Sequence, residues 1–178
     1  EQISRMLQFS EPLRSVQPAN SSVIRIGEDE FSFLFNRSDK SILTQLKDIV
    51  GTTEIKRIKI VSPYYDKEGT GIIALKNAFS PQSIECYVDE KLGLTPFLLD
   101  DDSISLFRQG PSKNKSGITH AKIMQLESYD CTYVLFGSAN ATAAALGVGT
   151  RRNDEASILL RHEEHCDFIS ELGVAAGE

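Results

Sequence analysis

The chain has 178 residues, 40% of them hydrophobic, and a formal net charge of -6 from 19 Lys and Arg against 25 Asp and Glu. That size and balance fit one well-buried soluble domain, and no apolar run approaches the roughly 18 residues of a membrane-spanning helix. A sequence pI near 5.2 gives no global attraction to nucleic acid, so any such binding has to come from a local patch.

The three cysteines, Cys86, Cys131 and Cys166, are widely spaced and form no C-x-x-C pair. This argues against a zinc ribbon or a redox motif and for the reduced thiols of a cytoplasmic protein. No secretory signal pattern is visible. Glu1 in place of a starting Met is read as a sign of a longer parent protein.

Residues 1–21 are polar and irregular and read as a linker or lead-in arm, with a short helix near residues 3–7; residues 22–178 read as the folded domain. The β-rich runs 22–26 and 31–35 flank GEDE and predict a hairpin. Ser38 or Asp39 is placed to cap a helix running to Val50, with Ile42, Leu43, Leu46, Ile49 and Val50 on one face and Gly51 as its stop. A strand over 55–61 ends in SPYYD, a helix follows over 72–79, and a second strand lies over 84–88. This is the pattern of a βαβ unit and a parallel sheet. Tyr64, Tyr65 and Asp66 sit where the first of those strands ends, the ligand side of open α/β sheets. They read as a structural turn with two packed tyrosines, the other use being the lining of a substrate groove.

Residues 103–107 read as a short strand. The basic stretch after it holds Arg108, Gln109, Lys113, Asn114 and Lys115, open between a solvated loop and a contact to a phosphate backbone. Residues 139–146 read as a helix opening directly behind a Gly-Ser turn, its first amides aimed at an anion. A strand over 156–160 and an amphipathic helix over 163–172 complete the chain. The fold class is therefore α/β, with a mixed, largely parallel sheet flanked by helices.

Residues 119–140, THAKIMQLESYDCTYVLFGSAN, organise the rest. His120 and Lys122 lie two apart, so on an extended chain both project from one face. An imidazole beside an ammonium makes an anion site with a titratable group in it. An apolar hairpin follows and ends in the tight turn of Gly137, Ser138 and Asn140.

This segment resembles the HKD signature of the phospholipase D superfamily, H-x-K, four residues, D, six residues, G-S-x-N. Counting forward from Lys122 the acidic position falls on Glu127; counting back from Gly137 it falls on Asp130. The hairpin is three residues longer than the family pattern, and both carboxylates stay open as candidates. Downstream, Asn153 and Glu155 fit the N-x-E that the family often carries.

The resemblance implies a phospholipase D-like fold with one motif unit and a phosphodiesterase that needs neither metal nor cofactor. In such an enzyme one His forms a covalent phosphohistidine while a second, from a symmetry-related motif, protonates the leaving group. It implies that His120 is that nucleophile or proton donor, that Lys122 and Asn140 hold the phosphoryl oxygens, that Ser138 and Gly137 support them, and that Glu155 orients the imidazole. Only one motif is present, so a homodimer, or a second HKD motif elsewhere in the full-length chain, is expected to complete the site.

Nucleic acid is the expected substrate and partner, with a helicase or restriction module as a possible companion and no membrane. A catalytically silent binding domain and a lipid-directed phospholipase or phosphatidyltransferase are the alternatives. His162, His165 and Cys166 read as the solvated face of the last helix, with metal binding as the rival use.

Overall fold

The computed structural model describes residues 23–89, 101–109 and 120–173. The expected lead-in arm, and Lys113, Asn114 and Lys115 of the basic stretch, lie outside the described residues.

Strands β1 (Ile24–Ile26) and β2 (Asp29–Phe35) form the expected hairpin. Helix α1 (Ile42–Val50) starts one turn later than the sequence suggests, capped by Ser41, whose hydroxyl accepts the Thr44 N–H at 3.1 Å. Ser38 and Asp39 are therefore not the cap. The reason is tertiary: Asn36 Oδ1 accepts the Ile42 N–H at 2.9 Å, and its Nδ2 donates to the carbonyls of Ala145 and Asn153. Gly51 ends α1 as expected.

Strand β3 (Arg57–Val61), helix α2 (Thr70–Phe79) and strand β4 (Ser83–Val88) make the expected βαβ unit, with β3 and β4 parallel. Strands β5 (Ile104–Arg108), β6 (Ile123–Glu127) and β7 (Thr132–Gly137) follow, then helix α3 (Ala143–Leu146), strand β8 (Ala156–His162) and helix α4 (Phe168–Glu171).

One mixed sheet runs in the order β1-β2-β8-β7-β6-β3-β4-β5. The α/β class with a mixed sheet stands, but the sheet is not largely parallel. Parallel pairing is confined to β3-β4-β5, and the other five pairings are antiparallel. The cause is the length of the connections. The β1-β2 and β6-β7 links are tight turns, and only links long enough for a crossover can join parallel strands.

Two helices are shorter than expected. Helix α3 begins at Ala143 instead of 139, because Ala141 pairs with Tyr65 in an isolated bridge and Thr142 is the cap. The last helix is a single turn instead of residues 163–172. Strand β8 runs on to His162, and Thr132 Oγ1 then donates to the Glu164 carbonyl at 3.2 Å and accepts the Cys166 N–H at 3.0 Å. His162, His165 and Cys166 consequently share no helical face.

The two faces of the sheet differ in chemistry. Leu34, Ile58, Ile60, Ile84, Met124, Leu126 and Leu135 pack under α1, α2 and α3 as the main core. On the other face Ile169 of α4 covers Val61 and Tyr87, beside a buried polar layer of Lys59, Gln125 and Glu127. Phe33 on that second face is 67% exposed.

Candidate active site

Register brings the motif together. Val61, Ile123, Phe136 and Ile158 form one row across β3, β6, β7 and β8. Residues 62–66, 120–122, 138–142 and 153–155 all emerge beyond that row, at one end of the sheet. Val88 pairs with Arg108 in the parallel part, so the basic stretch also begins at this end, outside the carboxyl ends of β3 and β4.

His120 and Lys122 precede β6 and are not on a strand, yet they meet as expected: Lys122 Nζ lies 3.0 Å from His120 Nδ1. An ammonium carries donors only, so Nδ1 is the acceptor, and in the neutral ring the proton sits on Nε2. His120 is exposed, and its ring stands edge-on to Tyr64 with centroids 6.2 Å apart.

The Gly-Ser-x-Asn turn has a steric reason for its glycine. Gly137 has φ 155°, and a Cβ there would lie 2.5 Å from the Ala156 carbonyl oxygen and 2.7 Å from Ser157 Cα. Only glycine lets β7 pass that close to β8. Ser138 then docks on β8: its N–H donates to the Ala156 carbonyl at 3.0 Å, and its hydroxyl accepts the Ala156 N–H and donates to Glu155 Oε2. Asn153 Nδ2 donates to Glu155 Oε1 at 3.2 Å. Glu155 is thus engaged by Ser138 and Asn153 instead of His120, and the orienting contact implied by the family resemblance is not made in this arrangement.

Two side chains that the sequence reading did not single out as anchors fasten this turn to the β3-α2 loop. Ser62 Oγ accepts the Ala141 N–H at 3.1 Å and lies 3.5 Å from Asn140 Oδ1. Asp66 Oδ2 accepts the N–H groups of Gly71 and Ala143, each at 2.8 Å. Gly71 has to be glycine for this approach, since a Cβ would sit 2.7 Å from the Ala141 carbonyl oxygen. The available signal was the cluster of short polar residues and glycines closing the strand that ends at SPYYD. The expected anion-facing helix start is corrected here, because the first amide of α3 is already bonded to Asp66.

The tyrosines divide. Tyr65 is buried, its hydroxyl donating to the carbonyls of Ile60 and Tyr87, whereas Tyr64 is 37% exposed beside His120. The carboxylates at the far end of the hairpin divide as well. Glu127 is 2% exposed and pairs with Arg57 at 2.7 Å, while Asp130 is exposed at the tip. Neither is at the His120 end.

The remaining histidines are also distant in register. His162 pairs across from Thr132 and binds Asp29 at 2.7 Å, and His165 lies 3.3 Å from Glu127. Among the described residues, no group of three or more His, Cys, Asp or Glu is arranged to hold a metal ion, and no helix is long and apolar enough to cross a membrane.

No protein-family model matches the sequence, and no curated protein sequence matches it. Solved structures are similar. Yeast tyrosyl-DNA phosphodiesterase aligns with TM-score 0.50 and 17% identity, over 73% of this chain and 31% of its own. Phosphatidylserine synthase of Haemophilus influenzae aligns with TM-score 0.51 and 13% identity, over 85% of this chain and 39% of its own. Nuc from Salmonella typhimurium, a phospholipase D family member, aligns at 13% identity and TM-score 0.47 over 77% and 85%.

This chain has the phospholipase D-like fold. It spans about a third of the length of the yeast enzyme it matches. In this phospholipase D-like sheet the end that carries His120 and Lys122 is built from stretches far apart in sequence. The opposite end carries the Arg57–Glu127 pair.

Proposed function

We propose that this phospholipase D-like domain is a phosphodiesterase that cleaves nucleic acid through a covalent phosphohistidine at His120, in a site completed by a second HKD motif. The observation that carries this reading is the His120–Lys122 contact at the sheet end where the Gly137–Asn140 turn also emerges. Together these supply a nucleophile, a fixed positive charge and an amide side chain, the groups that phosphoryl transfer requires.

In the first step His120 Nε2 attacks phosphorus. A nitrogen–phosphorus bond forms, the bond to the leaving oxygen breaks, and a second imidazole gives that oxygen its proton. Water then attacks the phosphohistidine, the second imidazole takes a proton from it, and His120 is released.

Attack from Nε2 requires the proton on Nδ1. When Lys122 turns to the phosphoryl oxygens, Nδ1 is released from its ammonium and is free to donate to Glu155, as the N-x-E resemblance implies. Neither His162 nor His165 supplies the second imidazole, since both lie toward the other end of the sheet. A second copy of the chain, or a further motif in a longer one, fills that role. Glu127 is assigned a structural part in the motif and Asp130 none.

The engagement of Glu155 with Ser138 favours one other reading, a domain that binds nucleic acid without cleaving it. Cleavage of an oligonucleotide in EDTA separates the two. The expected result is turnover in the wild type, a loss of at least about a thousandfold in His120→Ala, and an acid-labile phosphoprotein trapped on His120. Binding without turnover in a dimeric wild type favours the silent domain, and EDTA-resistant turnover that survives in His120→Ala removes His120 as nucleophile.

A further inference from the structure

We infer that Tyr64 is a stacking platform for a planar base of the substrate, directly beside the reacting imidazole. The inference rests on the nucleic-acid reading above and adds to it a specificity residue.

The backbone that carries the ring is anchored on both sides, and the ring itself meets His120 edge-on. Ser62 Oγ donates to the Tyr64 carbonyl at 2.8 Å and lies 3.4 Å from the Tyr64 amide. Pro63 fixes one backbone angle between them. On the other side Tyr65 is locked into the core by two carbonyls and bridges to Ala141, and Asp66 binds two backbone amides. Residues 62, 65 and 66 are therefore all anchored, and the residue between them leaves a third of its surface open beside His120.

An aromatic ring on an anchored backbone has only two side-chain torsions to lose when a ligand covers it. A phosphate bound at His120 and Lys122 carries its base one sugar away, within reach of the Tyr64 ring. The overall charge supports the same conclusion. At -6 the chain repels a polyanion at long range, so affinity needs a term that does not depend on charge, and stacking on an aromatic face is such a term. A phospholipid offers no aromatic ring at that distance from its phosphate.

The test is binding of a labelled single-stranded oligonucleotide and of an abasic polymer of the same length and charge, read by fluorescence anisotropy with strand integrity checked on a gel. The proteins are wild type, Tyr64→Phe and Tyr64→Leu, each with its melting point measured. Wild type is expected to hold the base-containing strand roughly tenfold tighter than the abasic one, as one stacked base provides. Tyr64→Phe should keep that ratio and Tyr64→Leu should bring it close to one.

A ratio that persists in Tyr64→Leu, or a ratio of one already in the wild type, overturns the role of Tyr64 while nucleic-acid binding stands. Binding of neither polymer, or of phosphatidylcholine vesicles in their place, overturns both that role and the reading it rests on.

Discussion

At the scale of single residues the site depends on atoms that are missing as much as on those present. Gly137 is the sharpest case, since any Cβ would collide with the backbone of Ala156 and Ser157, which cannot give way as a flexible side chain could. Gly137→Ala is expected to cost about 1–3 kcal/mol through this overpacking, seen as a melting point several degrees lower, together with a loss of turnover greater than the loss of stability explains. A variant of unchanged melting point would show that the turn tolerates a side chain. Position and type of His120, Lys122, Gly137, Ser138 and Asn140 were legible in the sequence because the motif is local. Which of Glu127 and Asp130 is buried was not, because that depends on the pairing of Glu127 with Arg57, a partner 70 residues away.

At the scale of elements, strand β3 explains what alternation revealed and what it hid. Ile58 and Ile60 face the main core as a buried strand predicts, but Lys59 is only 4% exposed as well. It is held by Asp167 of the last turn at 2.5 Å and lies 3.6 Å from Glu127. An ammonium buried without such partners would cost several kcal/mol, so the short α4 segment is needed where it sits.

Burial alone would raise the pKa of Asp167, but hydrogen bonds from Lys59 and Ser170 outweigh it and hold it at about 2, below the ordinary 3.8. A carboxylate depressed in the folded state adds stability above its unfolded value, and that contribution is lost as pH falls from 3.8 through about 2. Lys59→Met should therefore lower the denaturant midpoint at neutral pH and flatten its further decline across that acid window. An unchanged acid slope would show that the bond contributes nothing to stability. Charged partners of this kind are set by register across the sheet, which is why the same strand reads in sequence only as Ile mixed with basic residues. The last helix was misread for a related reason. Its run of charged residues suits an amphipathic helix, but Thr132 on the neighbouring strand β7, more than 30 residues back in sequence, holds the backbone of residues 164 and 166.

At the scale of the whole molecule the question is what would complete the proposed site, to which this chain brings one histidine. All three histidines of the chain are described, and the two spare ones are engaged with Asp29 and Glu127 away from the His120 end. Sedimentation or light scattering is expected to give a mass of two chains. A monomer at high concentration would assign the second motif to another part of a longer protein, and activity would then be absent from this chain alone.

The clamps on the Gly137–Asn140 turn have a consequence for dynamics. Ser62 and Asp66 bind the backbone amides of Ala141 and Ala143 across 79 and 77 residues of sequence. Those two amides lie outside the sheet ladder, so they can trade their hydrogens for deuterium only when the β3-α2 loop lets go. Their exchange rates thus measure how often the site comes apart while the sheet beneath it stays whole.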